Sequence, residues 1–311
     1  MNMLKKATAV VAAALVTTTI LYSPSALACA CGCGVFDVST NTMYPNGAGG
    51  TAYFEYDFMN QNRNWSGNSS APSADNSDKR IRTDFYTAGV QYMFNRSWGI
   101  DVKVPYWSRS FDTDVGGGEI EAFNHKAFGD VRLTGLYTGF SEDMSTGLEF
   151  GVKLPTGDYT YSGFDRDTEI GTGSTDALLG AYHRDGFGKN NPYNWFVHGT
   201  LDLPVATRDD YRPGDEFDAA AGVTRNPVHV GGSIGVAPVF QVINSYRWHD
   251  DGANADPSDS GYERVLVSPG VEFSYGPTKL YTDVSVPVYQ HIRGDQLVAP
   301  VLYKAVVSYD F

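Results

Sequence analysis

Basic residues, cysteines and long apolar runs are all scarce in this chain. Its 23 Lys and Arg face 36 Asp and Glu, and the resulting formal net charge of −13 at pH 7 argues against a nucleic-acid partner. After the amino-terminal segment no run of eighteen apolar residues occurs, so the sequence offers no transmembrane helix. The three cysteines all lie between Cys29 and Cys33, which confines any thiol chemistry to that stretch.

The amino terminus has the three parts of a secretory signal peptide. A basic start, MNMLKK, is followed by a short apolar stretch over residues 7–22 and by Ala26-Leu27-Ala28. We therefore predict cleavage after Ala28. Residues 29–49 have no period and many small side chains, and we expect a cysteine-containing periplasmic leader there, followed by one β-barrel domain over residues 50–311.

Side chains alternate with a period of two at the carboxyl end. Phe311, Tyr309 and Val307 lie on one face of residues 297–311, while Ser308 and Lys304 lie on the other. This period indicates a β-strand, in which successive side chains point to opposite faces. A last strand that ends on an aromatic residue suits a barrel in an outer membrane, where aromatic side chains lie at the interface.

The same alternation recurs along the chain and predicts about twelve strands. They cover residues 50–60, 80–94, 98–109, 128–140, 146–155, 174–184, 193–203, 227–236, 239–248, 262–275, 279–289 and 297–311. Long and short connections alternate between them, as in an outer-membrane barrel with short periplasmic turns and long outer loops. A soluble all-β sandwich gives no reason for this asymmetry. We therefore predict an all-β, antiparallel transmembrane outer-membrane barrel with both termini in the periplasm.

Many polar side chains fall on the face of these strands that we assign to the lumen. The pore-lining candidates are Glu55, Asp57, Asp101, Lys103, Asp130, Arg132, Glu149, Lys153, Asp176, His198, Asp202, Glu272, Asp283 and Lys304. Counted with Lys279, the set holds nine acids and five lysines or arginines. A narrow pore with this lining should prefer cations. Internal pairing of mixed charges that closes the barrel is the alternative.

Cys29, Cys31 and Cys33 alternate with small residues in a glycine-rich and alanine-rich stretch. Three soft ligands at this spacing could hold copper or zinc. Two other readings stay open. Cys29 could be lipidated at the cleavage site, or two of the thiols could form a disulfide in an oxidising periplasm.

Enzymatic chemistry has weaker support in the sequence. The glycine clusters open no helix, which argues against a nucleotide loop. His198 and His229 fall on the presumed lumen face near Asp202 and Ser233, where pore-lining polar residues explain them more simply than an outer-membrane lipid hydrolase does. We predict no catalytic residue.

Three short motifs carry a resemblance to a known family. They are FGDVRL at residues 128–133, KLPTGD at 153–158 and IGTGSTD at 170–176. Together with PVYQHIRGDQL at 287–297, they make the chain resemble the outer-membrane barrels labelled "MetA-pathway of phenol degradation". The resemblance implies a barrel that passes small molecules, and it implies no catalytic residue. The cysteine cluster lies outside these motifs.

The sequence therefore predicts an outer-membrane channel or transporter for small molecules, with outer-membrane lipid and a small solute as partners. A metal-binding or structural partner barrel organised by the cysteine leader is the main alternative, and a lipid hydrolase is the weaker one. The solute, the oligomeric state and the open or closed state of the lumen are left undetermined.

Overall fold

The computed structural model describes residues 34–36, 44–45 and 47–311, and these form one antiparallel barrel with short additions. The predicted signal peptide and the three cysteines lie outside the described residues. A short 3₁₀ turn (Gly34–Phe36) comes first in the described chain. The strands are β1 (Gly49–Gln61), β2 (Arg63–Gly67), β3 (Ser69–Ser70), β4 (Asp78–Met93), β5 (Trp98–Asp114), β6 (Ile120–Phe128), β7 (Val131–Tyr137), β8 (Thr146–Leu154), β9 (Thr175–Phe187), β10 (Tyr193–Ala206), β11 (Glu216–Arg225), β12 (Val228–Val230), β13 (Ile234–Arg247), β14 (Tyr262–Tyr275), β15 (Thr278–Val298) and β16 (Leu302–Asp310). A second 3₁₀ turn (Ser73–Asp75) lies between β3 and β4.

Twelve of these strands close the barrel. They are β1, β4, β5, β7, β8, β9, β10, β11, β13, β14, β15 and β16, each paired antiparallel with its neighbours along the chain. The first and last strands pair with each other, from Thr51 opposite Asp310 to Met59 opposite Leu302. This closure leaves the barrel wall without an open sheet edge. The predicted all-β antiparallel barrel is confirmed.

Alternation along each strand separates an apolar outer face from a polar inner face. In β1, Phe54 is 50% exposed, whereas its neighbours Tyr53 and Glu55 are each 7% exposed. β16 repeats the pattern, because Val307 and Tyr309 face outward and Ser308 is buried inside. The outer side chains form the apolar belt that a barrel presents to lipid. No helix among the described residues is long and apolar enough to cross a membrane.

The region between β5 and β7 differs from the prediction of a long irregular loop over residues 110–127. β5 continues to Asp114 and forms a hairpin with β6, which pairs with β5 alone. This hairpin extends beyond the barrel at the end opposite the start of β1 and the end of β16. Phe111 of β5 is fully buried there, in a cluster with Ile81 and Leu297, and Phe123 and Phe164 pack against that cluster.

The predicted eighth strand, residues 227–236, is wrong. The strand at this position in the barrel is β11, which pairs with β10 and β13, and the predicted range instead contains a short hairpin of β12 and the start of β13. Gly231 and Gly232, with φ of +62° and +83°, turn the chain in its middle. His229 and Ser233 are consequently exposed at this hairpin and do not line the lumen.

Candidate functional site

All the predicted pore-lining side chains lie on the inner side of the barrel wall. Asp130 is at the junction between β6 and β7, and the others occupy inward-facing strand positions. Several of these side chains form ion-paired groups and are not separate charges along an open pore. The described part of the amino-terminal leader and one long loop pack against them.

The first group surrounds Lys304 on β16. Its ammonium lies 3.3 Å from the Glu55 carboxylate and 4.0 Å from that of Asp57, both on β1. The same ammonium donates a 2.9 Å hydrogen bond to the carbonyl oxygen of Phe36. Two carboxylates therefore face one cation, and that cation holds a residue of the leader inside the barrel.

The second group joins strands β7, β8, β9 and β10. Lys153 forms ion pairs with Asp176 and with Asp202, the latter at 3.3 Å. Arg132 reaches the same Asp202 oxygen at 3.1 Å. The Oδ1 atoms of Asp176 and Asp202 have no hydrogen-bond partner, whereas the Oδ2 atom of each carboxylate is in an ion pair. Acceptor capacity therefore remains in this part of the lumen after the ion pairs have formed.

The third group holds the leader at a second point. Tyr44 is 5% exposed and stacks on Tyr182 of β9, with 4.6 Å between the ring centroids. Its ring also meets the edge of His198, which lies 3.2 Å from the Glu149 carboxylate. Arg184 donates a 2.9 Å hydrogen bond to the carbonyl oxygen of Pro45. Val35, Phe36 and Tyr44 thus pack with the inner wall and fill part of the lumen.

Asp130 fastens the long loop over residues 155–174 to the barrel wall. Its carboxylate accepts hydrogen bonds from the backbone N–H of Gly157 (2.9 Å) and from both the N–H and the hydroxyl of Thr172 (2.8 and 2.7 Å). Gly157 and Gly171 pack backbone against backbone, so a Cβ on Gly171 would lie 2.5 Å from the Gly157 carbonyl carbon. The three sequence motifs therefore meet at one point and fold the loop toward the lumen.

Arg109 of β5 secures the far end of the same loop. Its guanidinium donates hydrogen bonds to the carbonyl oxygens of Thr168 and Glu169, the second at 2.9 Å. The pKa of the Glu169 carboxyl is raised to about 8, mainly by burial. The nearby Asp158 also raises this pKa, whereas Arg166 and Arg109 lower it. Burial also raises the pKa of Asp165.

Two cavities lie next to these groups inside the barrel. The larger, of about 170 Å³, is bounded by the loop, by the Lys304 and Lys153 groups and by Phe36, Phe85 and Trp107. The smaller, of about 60 Å³, lies against Asp101, Glu149 and Thr200. Lys103, Arg132 and Asp202 border both cavities, so the two cavities are neighbours. Charged and aromatic side chains line the larger cavity, which can hold a small molecule that has polar and apolar parts.

Several lining residues were missed by sequence reasoning. Trp107 and Arg109 share the inward period of Lys103 on β5, so the alternation itself could have revealed them. Phe36, Arg166 and Glu169 carry no such signal, because they belong to segments without a period. Within the described residues no group of three His, Cys, Asp or Glu could hold a metal ion.

A closed antiparallel barrel with an apolar outer belt and a charged lumen defines the class of outer-membrane β-barrel proteins. The chain belongs to the family described as "Putative MetA-pathway of phenol degradation", whose model matches residues 66–292. The family that the sequence motifs indicated is thereby confirmed.

A solved structure shows the same fold. The COG4313 outer membrane channel from Pseudomonas putida F1 matches with a TM-score of 0.65 at 11% identity, over 88% of this chain and 100% of that chain. The beta domain of the Bordetella autotransporter BrkA matches at 0.49 and 13% identity, over 85% and 100% of the two chains. The Pseudomonas putida toluene transporter TodX gives 0.40 and 11%, over 90% and 93%. Curated proteins yield no match.

Proposed function

We propose that this protein is an outer-membrane channel for small polar solutes. The observation that carries the proposal is the pair of neighbouring cavities inside a closed barrel, which share Lys103, Arg132 and Asp202 in their lining. Buried charges are costly in a lumen that serves only as a packed core, whereas a solute pathway uses them. The fold of the COG4313 outer membrane channel supports the same reading.

The passage prefers cations. The larger cavity is bordered by eight carboxylates and six basic side chains. Most of the basic groups are also committed to partners, as Arg132 is to Asp202 and Arg109 is to the loop carbonyls. Glu169 is mostly protonated at pH 7, so seven of these carboxylates face six basic side chains. The small excess of negative charge lowers the electrostatic energy of a cation in the cavity.

Planar-bilayer recording of the purified full-length protein tests both statements. In a potassium chloride gradient we expect single-channel steps whose reversal potential is shifted toward the equilibrium potential of potassium. Lys103→Gln should increase the potassium preference, because it removes a positive charge that borders both cavities. Lys126→Gln, on the exposed face of the outer hairpin, is the matched control and should change nothing. Absence of conductance at every voltage would contradict the proposal, and anion preference would contradict its finer part.

A soft metal ion at Cys29, Cys31 and Cys33 is a second proposal. The support is positional, since these thiols directly precede Gly34–Phe36, which the barrel holds through Lys304. Thiolates are the ligands that copper(I) and zinc prefer. Metal content measured in the wild type and in a variant with all three cysteines changed to serine tests it, and equal content in the two proteins would exclude the site.

Lipid hydrolysis is the competing activity. The His198 ring lies beside the Glu149 carboxylate and makes an edge-to-face contact with Tyr44. This arrangement supports a packing role for the histidine. Release of fatty acid from phospholipid or lipopolysaccharide by the purified protein would contradict the channel proposal as a complete account.

A further inference from the structure

Two side chains of the long loop border the larger cavity with polar atoms that the protein does not satisfy. The Nε and Nη1 atoms of Arg166 and the Oε2 atom of Glu169 are buried and have no hydrogen-bond partner. No hydrogen bond or ion pair joins these two described side chains to each other. A buried donor or acceptor without a partner costs about 1–3 kcal/mol, more when charged, so two such groups at one cavity point to a missing ligand.

We propose that this cavity binds small zwitterionic solutes of the amino-acid type. The carboxylate of the solute accepts hydrogen bonds from Arg166, and its ammonium group donates to Glu169. The inference rests on the proposed function, since it names the class of solute that the pathway recognises, but the binding site can be tested without any measurement of transport.

The Arg166 guanidinium is already fixed in place for this role. Its Nη2 atom donates a 2.6 Å hydrogen bond to the carbonyl oxygen of Thr172. Its central carbon lies 4.9 Å from the ring centroid of Tyr159 and 4.5 Å from that of Tyr211, so aromatic faces hold the group from the loop and from the β10–β11 connection. A guanidinium held in this way loses little conformational entropy when a carboxylate binds.

Aromatic rings in the lining of the same cavity suit an apolar side chain. The Phe36 and Phe85 rings are 5.5 Å apart between centroids, and Phe85 meets Trp107 edge-on at 4.8 Å. An apolar cavity of about 150 Å³ holds a benzene ring, so a cavity of about 170 Å³ accepts one aromatic ring. The charged groups and the apolar side chain of the solute thus each have a matching surface in the cavity.

Ionisation of Glu169 supports the assignment. Burial raises the pKa of this carboxyl to about 8, so the group is mostly protonated at pH 7. Asp158 opposes ionisation, whereas Arg109 and Arg166 favour it. An ammonium group placed beside the carboxyl would lower this pKa. Binding at pH 7 should therefore release up to about one proton from the protein.

Isothermal titration of the detergent-solubilised full chain provides the test. The probes are L-phenylalanine, phenethylamine and 3-phenylpropanoate, which share the ring but carry both charges, the positive charge alone and the negative charge alone. We expect L-phenylalanine to bind at least ten-fold more tightly than either of the others. Titrations in buffers with different ionisation enthalpies should show proton release on binding.

Two conservative variants test which charged group of the solute each side chain binds. Glu169→Gln should weaken L-phenylalanine binding at least ten-fold and abolish proton release, and its affinity for 3-phenylpropanoate should not fall. Arg166→Lys keeps the charge but removes the guanidinium N–H groups, and it should weaken both carboxylate-bearing probes. Glu121→Gln and Arg96→Lys, at exposed positions, are the matched controls and should leave all affinities unchanged.

The outcomes separate this inference from the channel proposal. Ion conductance without L-phenylalanine binding at millimolar concentration would overturn the zwitterion site and leave the channel intact. Binding without conductance would support the site and contradict the channel. Equal affinity for L-phenylalanine and a singly charged probe would overturn the site, because only one of the two loop groups would then contribute.

Discussion

Asp130 shows how one side chain controls the shape of the lumen. The carboxylate accepts three hydrogen bonds from Gly157 and Thr172, residues that lie at the two ends of the long loop. The loop in turn carries Arg166 and Glu169 to the cavity. The position of the candidate binding groups therefore depends on a residue that touches neither of them.

Replacement of Asp130 should loosen the loop. Asp130→Ala removes the acceptor of the Gly157 and Thr172 backbone N–H groups, which costs about 1–3 kcal/mol for each donor that stays buried. Amide hydrogen exchange over residues 156–173 should become at least ten-fold faster. Asp185→Ala, at an exposed position near the end of β9, is the control and should leave the exchange unchanged. Equal protection in the wild type and in Asp130→Ala would show that other contacts hold the loop.

Packing of the loop should also depend on pH. The pKa of Glu169 is about 8 in the folded protein and near its ordinary value of 4.5 in an opened loop. The folded state therefore holds its proton more tightly, and loop stability should fall as pH rises from about 4.5 to about 8 and then level off. Hydrogen exchange of residues 156–173, corrected for intrinsic rates, measures this. Glu169→Gln should remove this component of the pH dependence, and an unchanged profile in that variant would assign it to another group.

Single elements differ in how clearly the sequence marks them. β14 begins and ends at the predicted residues, because every second side chain in it is apolar and a Gly-Pro turn follows. The sequence pattern predicts a loop where β11 lies, because the centre of this strand, Ala219-Ala220-Ala221-Gly222, consists of small residues with weak strand preference. Its two neighbouring strands supply the hydrogen bonds that hold it extended.

Close approach of two glycines sets the path of the long loop. A Cβ on Gly157 would lie 2.7 Å from the Cα of Gly171, a contact with rigid backbone. Gly157→Ala should therefore displace the loop and reduce thermal stability, by roughly 1–3 kcal/mol as for other overpacked positions. Gly47→Ala is the matched control, since nothing lies within 4 Å of its Cβ. Equal stability of the two variants in detergent would contradict this account.

Lipid-facing positions of the strands should reject charge. Val242 lies near the middle of β13 on the outer face, 38% exposed, whereas its neighbour Gln241 is buried inside. Val242→Arg should destabilise the barrel by about 2–4 kcal/mol if the side chain reaches the bilayer midplane. Urea unfolding in phospholipid vesicles measures the loss, and Val242→Leu should stay close to the wild type. A neutral effect of the arginine would show that this face is not in contact with lipid.

The whole molecule is a barrel that is partly filled from both ends. The leader residues enter beside Lys304 and Tyr182, and the long loop folds in beside Asp130 and Arg109. Mixed charges pair with one another along the wall between these two insertions. The described structure is therefore a constricted state of the proposed channel.

Removal of the leader contact should widen the pathway. Phe36→Ala deletes a ring that borders the larger cavity and packs on Phe85. We expect a larger single-channel conductance than in the wild type, because the variant adds free volume where the lumen is narrow. Phe94→Ala, a 63% exposed aromatic at the end of the barrel, is the control. Unchanged conductance in Phe36→Ala would show that the leader does not limit the current.

The sequence by itself determined the barrel, the inward set of charges and most strand positions, since a membrane barrel requires alternate side chains to face lipid and lumen. The role of those inward residues in conduction stays a prediction. Only the tertiary structure decided that the leader and the loop enter the lumen, that Asp130 joins the three motifs and that Arg166 and Glu169 share a cavity. These contacts join segments without a period, and their partners are far apart along the chain, so no local pattern encodes them.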